Sequence, residues 1–96
     1  MNVRLRPAAR ADLLSLHRWI AADRPAAADA MVRRLAEAFD RLADQPGLGR
    51  ARLPKHPAIR TFPVNPYLIF YETDDRGGVV IVRILHAARD WPRLFD

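Results

Sequence analysis

The chain has 96 residues, no cysteine and a formal charge of +5, with half of its residues apolar. That length makes one domain with a single modest core, too short for a nucleotide-binding domain plus a substrate domain, and the apolar content is that of a folded chain rather than a disordered one. Without cysteine there are no disulfide staples, thiolate zinc sites or cysteine nucleophiles.

The start, Met1-Asn2-Val3-Arg4, carries no signal-peptide apolar region, and no apolar run approaches membrane-spanning length; the expectation is a soluble, cytoplasmic protein with no membrane partner. Val3-Arg4-Leu5 reads as a short strand, closed by Pro7, whose missing N–H suits the first turn of a helix. Ala9, Leu13, Leu16 and Ile20 repeat at spacings of four, three and four, predicting a one-faced helix to about Ala22. Asp23-Arg24-Pro25 interrupts the chain, and a second helix runs from Pro25 to about Ala43. Its stripe is Ala28, Met31, Val32, Leu35, Phe39 and Leu42. The short connection makes the pair an antiparallel hairpin.

Pro46-Gly47-Leu48-Gly49 ends the second helix, and Arg50 to Ala58 reads as a loop carrying Arg50, Arg52, Lys55 and His56 with no acidic residue. Three strands follow: Ile59–Val64, Tyr67–Tyr71 and Val79–Leu85. Asn65-Pro66 makes a tight connection between the first two, and Asp74 to Gly78 separates the last two. The fold expected is α+β: a helical hairpin on a small antiparallel sheet, with the N-terminal strand as a candidate fourth, all within one domain spanning residues 1–96. Strand parity places Val80, Val82, Ile84 and His86 on one face and Val79, Ile81, Arg83 and Leu85 on the other.

No catalytic signature of a metabolic enzyme appears. The three histidines, His17, His56 and His86, are widely spaced without a carboxylate pattern, so no metal site and no cofactor are expected. Fifteen of the sixteen basic residues are Arg, whose planar fork grips carboxylates and phosphates at two points; a nucleic acid and an acidic protein segment both fit. Sixteen Ala residues point equally to a GC-rich genome that writes Arg for Lys. Arg83 sits inside a strand and must either pair with a carboxylate or await a partner; the shortage of carboxylates on the strands favours the partner. His86 reads as a strand-end histidine bonded by the following turn, with an acid/base role as the alternative. Tyr67 and Tyr71 read as packing residues.

The chain resembles the ParE toxins within the ParE/RelE superfamily of type II toxin–antitoxin modules. The resemblance rests on Arg10-x-Asp12-Leu13, Pro46-Gly47-Leu48-Gly49-Arg50, Ile59-Arg60-x-Phe62-Pro63-Val64, Tyr67-Leu68-Ile69-Phe70-Tyr71 and Val82 through Asp90, taken in that order. It implies a bacterial toxin that arrests growth and is neutralised by a ParD-like antitoxin encoded alongside. ParE-type members poison DNA gyrase, whereas RelE-type members cut messenger RNA on the ribosome. RNA cleavage needs groups that activate a hydroxyl, stabilise phosphate charge and protonate a leaving oxygen. RelE-like members use several Lys and Arg with a C-terminal Tyr, or a Glu/His pair. Here the segment from Arg89 to Asp96 has no Tyr and Lys is nearly absent, leaving Arg60, Arg83 and His86 for that reading. A gyrase poison needs no catalytic constellation.

The gyrase reading places target contacts on Arg83, His86, Arg89, Trp91, Arg93 and Phe95; alternatively, Trp91 and Phe95 fold back onto the core. Antitoxin contacts are expected on Leu14, Trp19, Arg50, Arg52 and Arg60, with operator DNA reached through the antitoxin complex. A descendant without toxicity, serving only as an antitoxin-binding partner, is a third reading.

Overall fold

The computed structural model of the chain describes residues 3–95. The order is β1 (Val3–Leu5), α1 (Pro7–Ala21), α2 (Pro25–Asp44), β2 (Arg50–Ala51), β3 (Arg60–Val64), β4 (Tyr67–Thr73) and β5 (Val79–His86), closed by a 3-10 helix at Trp91–Phe95. Both helices begin on the proline that marks their start in the sequence. The predicted stripes face inward: Ala9 and Leu16 are buried with Leu13 and Ile20 beside them, and Ala28, Met31, Leu35, Phe39 and Leu42 are buried along α2. Each large apolar side chain taken from water contributes about 1.5–3 kcal/mol to holding the hairpin on the sheet.

The sheet has five strands in the order β1-β5-β4-β3-β2. It is mixed, because β1 runs parallel to β5, Val3 opposite Val79 and Leu5 opposite Ile81, while every other pair is antiparallel. The segment expected as pure loop after Gly49 supplies β2, paired with β3 through Arg50–Thr61 and Ala51–Arg60. A two-residue strand has no alternation to read, so nothing in the sequence distinguishes it from loop. The Asn65–Pro66 peptide joining β3 to β4 is cis.

Strand parity fails in β5. Phe70 pairs with Arg83 and Tyr71 with Ile81, which leaves Val82 as an extra residue, a β-bulge. Val79, Ile81 and Ile84 therefore share the helix-side core, while Val82 and Leu85 join a second cluster on the opposite face. That second cluster is closed by Leu53 from the segment after β2 and by the C-terminal tail. Phe95 is buried, its ring 4.8 Å from Phe70, and Trp91 packs half-buried at 5.4 Å from the same ring. Of the two alternatives for the tail, the structure has the one in which its aromatics fold back onto the core. His56 fastens it further, its ring nitrogen bonded to the Phe95 carbonyl.

Gly49 marks the closest backbone approach. The Tyr71 hydroxyl accepts from the Gly49 N–H at 2.7 Å and donates to the Pro46 carbonyl at 2.7 Å. A Cβ at Gly49 would lie 2.6 Å from that hydroxyl and 2.8 Å from the Thr61 carbonyl, so only glycine fits. Burial raises the Tyr71 pKa, with the Gly49 N–H and Arg60 pulling the other way. Among the described residues no helix is long and apolar enough to cross a membrane.

Candidate functional site

The bulge in β5 has a dedicated partner on α1. One oxygen of Asp12 accepts from Arg83 Nε at 2.7 Å and from the Ile84 N–H at 3.0 Å; the other accepts from Arg83 Nη2 at 2.9 Å. This is a two-point carboxylate–guanidinium pair that also satisfies the backbone N–H of Ile84, beyond the end of the β1 pairing. The Arg83 pKa is raised chiefly by the hydrogen bonding to Asp12, against the opposing effect of burial. The carboxylate missing from the strands thus comes from the first helix, 71 positions away in sequence. The expectation that Arg83 stands unpaired for a partner gives way to this clamp.

Asp12 is also on the floor of an open groove of about 540 Å³ between α1 and the end of β5. Ser15, Leu16 and Trp19 form the helix wall; Ile84, Leu85, His86 and Arg89 form the strand wall, with Tyr67 behind them. Trp19 is 81% exposed and Leu14, on the same helix, is 56% exposed. Trp19 stands on the rim of this groove, where an aromatic side chain is of the type that dominates binding energy at interfaces. His86 lies edge-on to Tyr67 with ring centroids 5.5 Å apart, and its Nδ1 accepts from the Ala88 N–H at 3.0 Å. The turn after β5 therefore bonds the ring, as a strand-end histidine requires, and leaves Nε2 as the edge free for other partners. Burial raises the Tyr67 pKa.

The groove brings together residues assigned from sequence to different partners: Trp19 from the antitoxin set, and His86 and Arg89 from the target set; Arg83 does not line it and is held by Asp12, which does. Others lie apart. Arg60 is on β3, two strands from β5 and in register with Ile81, so it sits about 10 Å across and about 16 Å along from His86. Its Nη1 donates to the Gly49 carbonyl at 2.8 Å. Arg60, Arg83 and His86 do not form one cluster. Arg50 and Arg52 are exposed at the β2 edge. Trp91 and Phe95 pack on the other face of the sheet, while Arg93 stays exposed beside Asp90 at 3.5 Å. Asp12 and Ser15 are the groove residues that sequence reading missed. The signal for Asp12 lay in Arg10-x-Asp12-Leu13, but its partner Arg83 is 71 positions away, a pairing that leaves no trace in sequence. Among the described residues no group of three His, Asp or Glu side chains is arranged to hold a metal ion.

Comparison with known proteins identifies the family and the fold. The model of a family described as the ParE toxin of type II toxin–antitoxin system, parDE, matches residues 3–91. The chain is 41% identical over 58 residues to Toxin ParE3 of Caulobacter vibrioides, a match covering 60% of this chain and 57% of that protein's length. It is 43% identical over 81 residues to Toxin RelE2 of the same organism, covering 84% and 89%. A solved chain from the chromosomal ParDE system of P. aeruginosa shares the fold with a TM-score of 0.75 at 21% identity, covering 90% and 95%.

Proposed function

The chain belongs to the ParE toxin family of type II toxin–antitoxin systems, and from that premise we propose that it inhibits DNA gyrase by binding and is neutralised by a ParD-like antitoxin covering the α1–β5 groove. The observation that carries the antitoxin half is Trp19, almost fully exposed on the wall of a groove whose facing wall holds His86 and Arg89. Aromatic and Arg side chains supply most of the binding energy at protein interfaces, and an apolar partner segment would desolvate all three at once. Such a segment, ordered only on binding, is the kind of occupant a groove flanked by an amphipathic helix takes. One consequence is direct. A partner seated on Trp19 hides His86 and Arg89, so antitoxin and target compete for the same surface. Operator DNA is reached through the antitoxin, and the work is done in the cytoplasm.

Inhibition by binding is favoured over RNA cleavage by the state of the basic residues. Both the Nε and an Nη of Arg83 are committed to Asp12, which leaves little of its fork for a phosphate. Arg60 points to Gly49, well away from His86, so no phosphate is held at three points. The similarity to a toxin named RelE2 supports the ribonuclease as the second reading. In that case His86 Nε2 is the only imidazole edge in the groove that can donate a proton.

The test incubates the chain with gyrase, ATP and supercoiled plasmid, and scores linear DNA after denaturation and protease. Linear DNA that disappears on adding antitoxin supports the gyrase reading. Unchanged supercoiling by folded protein, with cleavage of messenger RNA on added ribosomes, replaces it with the ribonuclease.

A further inference from the structure

From Gln45 to Tyr71 the chain contains no Asp or Glu, yet it carries Arg50, Arg52, Lys55 and Arg60. The fold gathers this acid-free stretch at one margin of the sheet. Arg50 lies on β2, the outermost strand, three strands from Arg83, or about 14 Å away. All four side chains belong to exposed residues, and none of them pairs with a carboxylate among the described residues. Elsewhere Arg4, Arg6, Arg83 and Arg93 are each matched to a carboxylate, while the remaining Arg residues have no such partner among the described residues, so what sets this margin apart is the absence of any Asp or Glu along its stretch of sequence.

The segment is also held in place. Leu53 is buried in the second core, the His56 N–H donates to the Leu53 carbonyl at 3.0 Å, and the Ile59 N–H donates to the His56 carbonyl at 3.0 Å. The Thr61 hydroxyl donates to the Arg50 carbonyl at 2.9 Å, and Arg60 is steered by Gly49. Uncompensated positive charge on an ordered margin is a preorganised polyanion site rather than a solvated, mobile loop.

We propose that this β2 margin binds the sugar–phosphate backbone of duplex DNA directly, through Arg50, Arg52 and Lys55 with Arg60 beside them. Three of the four are Arg, the residue whose fork grips phosphate at two points. Duplex is preferred to single-stranded nucleic acid because single strands are held by stacking bases on exposed aromatic rings. The rings near this margin are not offered for stacking: Phe70 and Tyr71 are fully buried and Trp91 is packed against Phe70. The contact carries no base readout, so it adds affinity and not sequence preference. It is independent of the gyrase reading and lies apart from the Trp19 groove, so a groove-bound partner leaves it open.

The experiment measures fluorescence anisotropy of a labelled 20-base-pair duplex of arbitrary sequence against the full chain, across a salt series. Three neutralised phosphates give a slope of log affinity against log salt of about −3. R50A/R52A/K55A is expected to weaken binding at least tenfold at the lowest salt and remove most of that slope. R24A/R33A/R76A, which deletes the same charge from exposed sites elsewhere, is expected to leave the slope in place. R50K/R52K keeps the charge and retains the slope, which separates loss of charge from loss of fold. Equal losses in both triple-alanine variants would reduce the effect to net charge and overturn the site. Tighter binding to single-stranded RNA of the same length would overturn the duplex assignment, and no binding at 50 mM salt would overturn both. W19A, which tests the antitoxin groove, is expected to leave duplex binding unchanged.

Discussion

The α1–β5 groove and the β2 margin solve opposite problems with the same residue type. In the groove the charge is paired and the apolar surface is open: Arg83 is locked to Asp12 while Trp19 stands in solvent. At the margin the apolar surface is buried and the charge is open: Leu53 and Ile59 are in the core while Arg50 and Arg52 have no carboxylate partner among the described residues. The difference teaches that an Arg in this chain takes its role from whether the fold brings a carboxylate within reach. Position in a motif does not decide it. Arg83 and Arg50 both lie in stretches that resemble the family, yet Arg83 is clamped by Asp12 while Arg50 has no carboxylate partner among the described residues.

The sharpest way to break the contrast is Asp12→Ala. It leaves the partly buried Arg83 charge and the Ile84 N–H without their acceptor, and is expected to cost about 3 kcal/mol of stability in chemical denaturation. Tyr71→Phe removes the hydroxyl that ties Gly49 and Pro46 to the sheet, a loss of about 2 kcal/mol by the same measurement. On the open side of the groove, Trp19→Ala is expected to weaken antitoxin binding by about 2 kcal/mol, near thirtyfold by calorimetry. Its stability should change by no more than about 0.5 kcal/mol. A large stability loss in that variant would make Trp19 a packing residue and remove the anchor from the groove.

The smallest effect tests pairing by pH. Asp74 accepts from the Gly78 N–H at 2.8 Å and the Arg76 N–H at 2.9 Å, which hold its carboxyl below the usual carboxylate range, with Arg4 adding to the effect. A pKa lower in the folded than in the unfolded chain stabilises the fold above the unfolded value, and that contribution is lost as pH falls through the folded one. Wild type should therefore exceed Asp74→Ala in stability at neutral pH, with the gap closing in acid. A gap independent of pH would mean that the carboxylate charge adds nothing to the turn.

The helices were fully legible, because proline starts and a 3.6-residue stripe are local signals. The three longer strands were legible from another local signal, short runs of β-branched and aromatic residues bounded by turn residues. What escaped depends on partners far along the chain. The parallel docking of β1 is a choice of neighbour, not of local shape. The Val82 bulge is recorded only in its pairing with β4, so parity assigned Ile84 and Leu85 to the wrong faces. The groove residues Trp19, His86 and Arg89 were each singled out, but a helix residue and a strand residue meet only once the clamp between them is known. The tail aromatics suited two roles until the Phe70 ring showed where Phe95 is seated.

The pairing of β1 with β5 sets a schedule for synthesis. Residues 3–5 have their strand partner only at 79–81, and Asp12 waits for Arg83. At about 5–20 residues per second, Arg83 leaves the ribosome roughly 4–14 s after Asp12. Until then neither the clamp nor the facing wall of the groove exists. The groove is assembled from segments about 70 positions apart, so a chain stopped before β5 has only its α1 wall, and under the function proposed above an antitoxin would meet its complete binding site only after β5 has emerged.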